Sequence, residues 1–260
     1  MLLKSKNAII YGAGGGVGSA VARAFAREGA RLFLAGRTLA KLEAIAREIS
    51  ASGGIASTAR VDALSERSVQ RHVGAVAKQA GRIDVLFNAI GMEDVQGIPL
   101  LDMPVEDFTH PVMKATRTQF LTARWVAKQM VQQRSGVIMT ITAGPAREAS
   151  PHIGGFGVAC EAVEGLWRNL AGELGPYGVR LICIRSAGSP DTPGLQGVFG
   201  TRDDDPATSD TALADVARGT LLGRLPSVAE VANVATMMAS DRASAMTGTY
   251  VNVTCGSRVD

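Results

Sequence analysis

The chain has 260 residues, 46% of them hydrophobic and 20% charged, which excludes a disordered chain and predicts a full apolar core. The 27 Lys and Arg against 24 Asp and Glu give a net charge of +3, and no run of basic residues points to nucleic acid. No apolar stretch approaches the roughly 20 residues that span a bilayer, and no signal-peptide pattern opens the chain. Three distant cysteines fit neither a disulfide framework nor a metal site. We therefore expect a cytoplasmic protein that binds no nucleic acid, membrane or metal.

Strand-like and helix-like segments alternate along the chain. The short apolar runs typical of strands are Asn7–Tyr11, Arg31–Ala35, Ile55–Val61, Ile83–Asn88, Val137–Thr142, Val179–Ile184 and Thr249–Val253. The intervening helical segments are Val17–Arg27, Leu39–Ile49, a helix capped by Ser65, Met103–Gln133, Gly154–Leu174 and Ser227–Ala239. This alternation predicts an α/β protein: one Rossmann domain over residues 1–260, with a doubly wound parallel sheet of about seven strands buried on both faces.

One long region lacks a clear pattern. Residues at about 188–225 are rich in Gly, Pro, Asp and Thr. In a compact domain such a stretch is usually a lid or a binding loop, and we predict that role here.

A glycine-rich segment follows the first strand and leads into the first helix. It reads Gly-Ala-Gly-Gly-Gly-Val-Gly from Gly12 to Gly18. Glycines allow a sharp turn and a close backbone approach to a pyrophosphate, and the helix N-terminus adds partial positive charge. The alternative is a merely flexible turn, but the position after the first strand favours nucleotide binding. The residues predicted to bind the cofactor here are Gly12, Gly15, Gly16, Val17 and Gly18.

The end of the second strand bears on which nucleotide binds. An acidic residue there would hold the ribose 2′-hydroxyl of NAD, whereas this chain has Gly36 followed by Arg37. A guanidinium suits a phosphate, although a solvated arginine at a strand end is also common. We therefore predict that NADP(H) is preferred over NAD(H).

These motifs resemble the short-chain dehydrogenase/reductase family over nearly the whole chain. The glycine segment fits the family's T-G-x-x-x-G-x-G turn, with Tyr11 in place of Thr. Asp62 matches the acid that contacts the adenine, and Asn88-Ala89-Ile90-Gly91 is similar to the family's N-N-A-G. The resemblance implies further cofactor-binding residues at Asp62, Ala63, Asn88, Ala89 and Gly91.

The resemblance also implies four catalytic positions, and all four hold unusual residues. The family's Tyr, which acts as general acid, and its Lys four residues later align with Phe156 and Cys160. The Ser that polarises the substrate oxygen aligns with Ala143, and the Asn of the long helix aligns with Ala115. His152, one helical turn before Phe156, is a weak substitute candidate, and a loop histidine is the simpler interpretation.

Two functions stay open at this point. The first is an atypical NADP(H)-dependent oxidoreductase for an activated C=C, C=N or carbonyl compound, because hydride transfer needs mainly placement. The second is a catalytically silent nucleotide-binding protein, either a sensor or an inactive subunit. A scaffold without nucleotide is disfavoured by the glycine segment and Arg37. The resemblance further implies a homodimer or homotetramer through the long helices, which carry Phe120, Trp125, Val126 and Trp167.

Overall fold

Seven parallel strands form the central sheet of the computed structural model, which describes residues 1–147, 149–192 and 214–259. They are β1 (Asn7–Tyr11), β2 (Arg31–Gly36), β3 (Ile55–Arg60), β4 (Val85–Asn88), β5 (Gly136–Ala143), β6 (Val179–Ser186) and β7 (Thr249–Val253). Their order across the sheet is β3-β2-β1-β4-β5-β6-β7. The predicted parallel sheet of about seven strands is confirmed.

Helices cover both faces of this sheet. They are α1 (Gly16–Arg27), α2 (Leu39–Ala51), α3 (Glu66–Ala80), α4 (Val105–Gln133), α5 (Gly155–Leu174) and α6 (Val228–Ala239). The apolar cluster on one face takes its side chains from α3, α4 and α5. The cluster on the other face takes them from α1, α2 and α6. The doubly wound Rossmann-type α/β fold is therefore confirmed.

The two edge strands correct one expectation. We predicted that the strands are buried on both faces, and this is wrong for β3 and β7, whose residues are mostly half-buried or exposed. Ile55 at the start of β3 is largely exposed. An edge strand has a neighbour on one side only, and the helices cover it less completely. Residues 193–213 of the predicted lid lie outside the described residues, so the lid stays a prediction.

The sheet order places a crevice at the carboxyl ends of β1 and β4. From β1 the chain proceeds to β2 and β3 on one side, and then crosses to β4 on the other side. Loops that leave these two strands therefore diverge, which opens a ligand crevice in sheets of this type. Gly12 turns the chain there with a φ of 73°, and a Cβ on it would overlap the carbonyl of Ala89. Only glycine fits this close approach.

A buried aromatic pair supports the end of β1. The Tyr11 hydroxyl lies 2.9 Å from Nδ1 of His72 on α3, and the two rings meet edge to face. Burial raises the pKa of Tyr11 and lowers the pKa of His72 from 6.5 to about 4. The folded protein therefore keeps His72 neutral at pH values where the unfolded chain would protonate it.

The neutral His72 predicts a pH-dependent stability. Between pH 6.5 and about pH 4 the unfolded chain binds more protons at this residue, so the free energy of unfolding falls as the pH drops. The loss amounts to roughly 3 kcal/mol at most. His72→Gln retains a hydrogen-bonding partner for Tyr11 and does not titrate. Denaturant unfolding over this pH range should show a steeper loss of stability in the parent, and equal slopes would contradict the prediction.

Candidate functional site

A cleft of about 220 Å³ opens at the carboxyl ends of β1, β2, β3 and β4. Its lining includes seven of the eleven residues predicted to bind the cofactor: Gly12, Gly15, Arg37, Asp62, Ala63, Ala89 and Gly91. These residues follow four different strands, so the fold brings together positions that are far apart in sequence. The lining also contains three charged or polar side chains that sequence reasoning missed: Glu93, Lys114 and Thr118.

The other four predicted residues lie beside the cleft lining and support it. A Cβ on Gly18 would overlap the carbonyl of Gly12, so Gly18 lets α1 pack against the turn. A Cβ on Gly16 would come within 2.9 Å of the Thr192 side chain, and Val17 packs against the apolar core. The Asn88 amide donates to Thr122 at 2.8 Å, and its oxygen accepts from the backbone N–H of Ile90.

The N-terminus of α1 faces the cleft without a side-chain cap. Gly15 is the capping residue, and within the described chain no side chain bonds the first-turn N–H groups. The first turn also contains no acidic residue. An uncapped helix start presents free N–H donors and a partial positive charge, which is the arrangement that binds phosphate.

Asp62 is exposed at the opposite side of the cleft. Its carboxylate accepts a hydrogen bond of 3.0 Å from the backbone N–H of Leu64. Its own backbone N–H donates to the Ser68 hydroxyl at 3.2 Å. The turn after β3 thus fixes this carboxylate next to the cleft.

Glu93 joins two cations at the cleft. Its Oε1 lies 2.5 Å from a terminal guanidinium nitrogen of Arg37, and its Oε2 lies 2.5 Å from Nζ of Lys114. The hydrogen bond from Lys114, together with that from Arg37, lowers the pKa of Glu93 to about 2. No pattern in the sequence connects these three residues. The one available signal is that Lys114 immediately precedes Ala115 on α4.

The four positions that resemble the family's catalytic residues lie in or against one apolar cluster. Ala115 and Cys160 belong to that cluster, and Ala143 and Phe156 pack against it. Burial raises the pKa of the Cys160 thiol to about 12. At neutral pH these four side chains therefore offer neither a strong proton donor nor a cation.

His152 lies away from this cluster. It is exposed in the loop before α5, and its carbonyl accepts a hydrogen bond of 2.7 Å from Gly97. It does not line the cleft, nor does it line a wider groove of about 510 Å³ beside the start of α5. That groove is mainly apolar, with Ser150 and Glu161 among its lining residues. The geometry gives no support to His152 as a substitute catalyst.

Comparison with known proteins identifies the family. A family model described as enoyl-(acyl carrier protein) reductase matches residues 12–258. The uncharacterized oxidoreductase YxbG of Bacillus subtilis is 30% identical over 246 residues, which cover 95% of this chain and 88% of that protein. The chain belongs to the short-chain dehydrogenase/reductase family.

Further members of the family align over nearly their full length. Oxidoreductase UcpA of Salmonella typhimurium is 29% identical and covers 98% of this chain, with 95% of UcpA matched. The crystal structure of levodione reductase superposes with a TM-score of 0.89 at 28% identity and covers 97% of both chains. An NAD⁺-bound xylitol dehydrogenase shares the fold, with a TM-score of 0.89 at 23% identity.

This dehydrogenase/reductase chain also has a buried ion pair below its apolar cluster. Glu164 on α5 is 0% exposed and accepts two hydrogen bonds from Arg185 on β6, of 2.8 and 3.1 Å. The Thr142 hydroxyl donates to the same carboxylate at 3.0 Å. Sequence reasoning missed this pair. Glu164 follows Cys160 by one helical turn, and its carboxylate joins α5 to β6 through Arg185 and to β5 through Thr142.

The described residues contain no group of three or more His, Cys, Asp and Glu side chains arranged to hold a metal ion. None of their helices combines the length and apolar character needed to cross a membrane.

Burial of two cysteines predicts the reactivity of all three. Cys160 and Cys183 are buried with raised pKa values, whereas Cys255 is partly accessible. Because the thiolate is the reactive form, DTNB at mildly alkaline pH should label one thiol rapidly in the native protein and three after denaturation. Cys255→Ser should abolish the rapid labelling. If the rapid labelling disappears in Cys160→Ala instead, the prediction that the Cys160 thiol is unreactive is wrong.

Proposed function

We propose that the chain binds NADP(H) in preference to NAD(H) and acts as an oxidoreductase that does not use the family's Tyr–Lys pair. The observation that supports this is the contrast between the cleft and the family's catalytic positions. A glycine turn, an uncapped helix start and Arg37 border the cleft, whereas Ala143, Phe156 and Cys160 do not line it and belong to, or pack against, the apolar cluster.

The residues present fit a dinucleotide. The first-turn N–H groups of α1, with the turn from Gly12 to Gly18, would bind the pyrophosphate, since no side chain of the described chain hydrogen-bonds them. Asp62 and Ala89 would border the adenosine, and Arg37 would bind a 2′-phosphate. When bound, the cofactor supplies the hydride, and this chain supplies binding, orientation and the exclusion of water.

The apolar residues at the family's catalytic positions restrict the substrates that we propose. A general acid contributes about 10²- to 10⁴-fold to such a reaction, and the Cys160 thiol stays protonated and buried. An activated C=C or C=N bond needs less proton donation than a simple ketone. The description of the matching family model supports this choice, because an enoyl group carries a C=C bond conjugated to a carbonyl. Activated carbonyl compounds are the third class of substrate that we propose, after compounds with an activated C=C or C=N bond.

A catalytically silent nucleotide-binding protein is the second candidate. It is favoured by the position aligned with the family's Lys, where a buried, neutral Cys160 offers no cation to hold the nicotinamide ribose. Such a protein would bind the adenosine half firmly, leave the nicotinamide half loosely held, and function as a sensor or an inactive subunit.

We also propose a homodimer or homotetramer formed through α4 and α5. Of the apolar residues expected at that contact, Val126 and Trp167 belong to the core, whereas Phe120 is 44% exposed and Trp125 is half-buried. The two accessible aromatic side chains on α4 support a contact with a second copy. Three free cysteines fit the reducing cytoplasm, where we place the protein.

Cofactor choice is tested at Arg37. In the parent, NADPH should bind more tightly than NADH. Arg37→Ala should weaken the binding of NADPH by about 1.5–3 kcal/mol, which is the usual contribution of a hydrogen bond to a charged group. The binding of NADH should stay nearly unchanged. Calorimetric titration measures both. Arg23→Ala is the matched control, because Arg23 also forms an exposed ion pair, with Glu48 at 2.7 Å. Equal affinities of the parent for the two cofactors would refute the proposed preference.

Catalysis is tested by restoring the family's residues. The parent should reduce simple ketones at least about 10²-fold more slowly than a variant with Ala143→Ser, Phe156→Tyr and Cys160→Lys together. Single restorations should do little, because such residues act as a unit. NADPH oxidation against ketones, enones and imines measures this, with thermal unfolding to check that each variant folds. Rapid ketone turnover by the parent would contradict the proposal. Absence of turnover in every class, with tight NADPH binding, would favour the silent protein.

A further inference from the structure

Three charged side chains from separate parts of the fold meet at the cleft that we propose to bind the adenosine. Arg37 follows β2, Glu93 follows β4, and Lys114 lies on α4. All three line the cleft. Both carboxylate oxygens of Glu93 are used, one by Arg37 and the other by Lys114, each at 2.5 Å.

The burial of the three residues differs. The Lys114 side chain is 6% exposed, while Glu93 is 50% and Arg37 is 67% exposed. A buried ammonium group needs a nearby anion, so Lys114 holds Glu93 firmly. Arg37 is largely hydrated, and its exposed ion pair with Glu93 is weakly held. Arg37 can therefore exchange its partner at little cost, whereas Lys114 cannot.

The Glu93 carboxylate resembles an anionic ligand chemically. A guanidinium presents the same pair of N–H donors to a carboxylate as to a phosphate, so Glu93 and a ligand phosphate would compete for Arg37. Glu93 also adopts a φ of 59°, a left-handed conformation that non-glycine residues rarely take. Glu93 has this conformation at a position where two cations, Arg37 and Lys114, contact its side chain. His110 on α4 lies 3.8 Å from the same carboxylate.

We propose that Glu93 is an internal counterion that occupies the anion position between Arg37 and Lys114 and thereby sets how strongly the cleft prefers a 2′-phosphate. The proposal rests on the proposed binding of a nicotinamide dinucleotide in this cleft. When a 2′-phosphate binds, Arg37 leaves Glu93 for the phosphate, and Glu93 stays with Lys114. Glu93 thus weakens the binding of NADP(H), and Lys114 limits that effect because it holds the carboxylate.

Two substitutions separate these roles. Glu93→Gln removes the charge while its amide oxygen still accepts from Lys114. It should tighten binding of a 2′-phosphorylated nucleotide by about threefold to tenfold, because Arg37 loses its competitor. Lys114→Met frees Glu93 to pair with Arg37 alone. This variant should weaken the binding of the same nucleotide by a similar factor. Glu66→Gln is the control, since Glu66 pairs with Arg124 at 2.9 Å and does not line the cleft.

The experiment is calorimetric titration with adenosine 2′,5′-bisphosphate and with adenosine 5′-monophosphate, followed by NADPH and NADH. The affinity for the monophosphate should change less than about twofold in every variant, so the readout is the ratio between the two adenosine nucleotides. A merely structural role for Glu93 would change both affinities equally. If Glu93→Gln unfolds, Glu93→Ser removes the same charge and tests the same ratio.

The outcomes distinguish this inference from the proposed function. If the parent prefers NADPH and Glu93→Gln leaves the ratio unchanged, the counterion role is overturned and the cofactor preference stands. If the parent shows no preference but Glu93→Gln binds the 2′-phosphorylated nucleotide more tightly, the counterion role is supported and the proposed preference is wrong. If no variant binds any of the four nucleotides, both are overturned.

Discussion

The site depends on one close backbone contact, where the turn after β1 meets the loop after β4. Gly12 approaches the Ala89 carbonyl so closely that any side chain at Gly12 would overlap it, and Gly18 approaches the Gly12 carbonyl in the same way. The first of these contacts lies between the two strands at which the sheet order reverses, and the second lets α1 start directly after the turn. The start of α1 and the cleft residues Gly15, Ala89 and Gly91 lie around this junction. A Cβ at either glycine would push them apart, which gives these glycines a structural role separate from any contact with a cofactor.

The sequence was most informative where a pattern is local. Apolar runs and helical spacing predicted the elements because both are properties of adjacent residues, and a glycine turn after the first strand predicted the crevice. Burial of the edge strands was predicted wrongly, since hydrophobicity along a strand does not reveal how many neighbours the strand has. The triad of Arg37, Glu93 and Lys114 was missed for a related reason. Its members are far apart in the chain and meet only after the sheet and α4 have packed.

The ion pair under the apolar cluster shows how the fold tolerates unusual residues above it. Glu164 and Arg185 are both buried, and each satisfies the charge of the other through two hydrogen bonds. Removal of one partner from such a pair typically costs about 3–5 kcal/mol, so α5 is fixed to β6 by an interaction that needs nothing from Phe156 or Cys160. One anchor of α5 to the sheet is therefore independent of the side chains that the family uses for chemistry.

The contrast between the cleft and the family's catalytic positions suggests how binding and chemistry are divided under the proposed function. Charged groups and backbone donors border the cleft, where the adenosine and pyrophosphate would lie, and the side chains at the catalytic positions belong to or pack against the apolar cluster. Binding energy from the remote adenosine can fix the position of the reacting nicotinamide, and placement alone can contribute about 7–11 kcal/mol to a reaction whose acceptor is already activated. A ketone gains less from placement, because its developing alkoxide also needs a proton. A catalytically silent protein with the same contrast would bind the nucleotide tightly without catalysing a reaction. Turnover of an activated acceptor therefore separates the two functions, whereas cofactor affinity cannot.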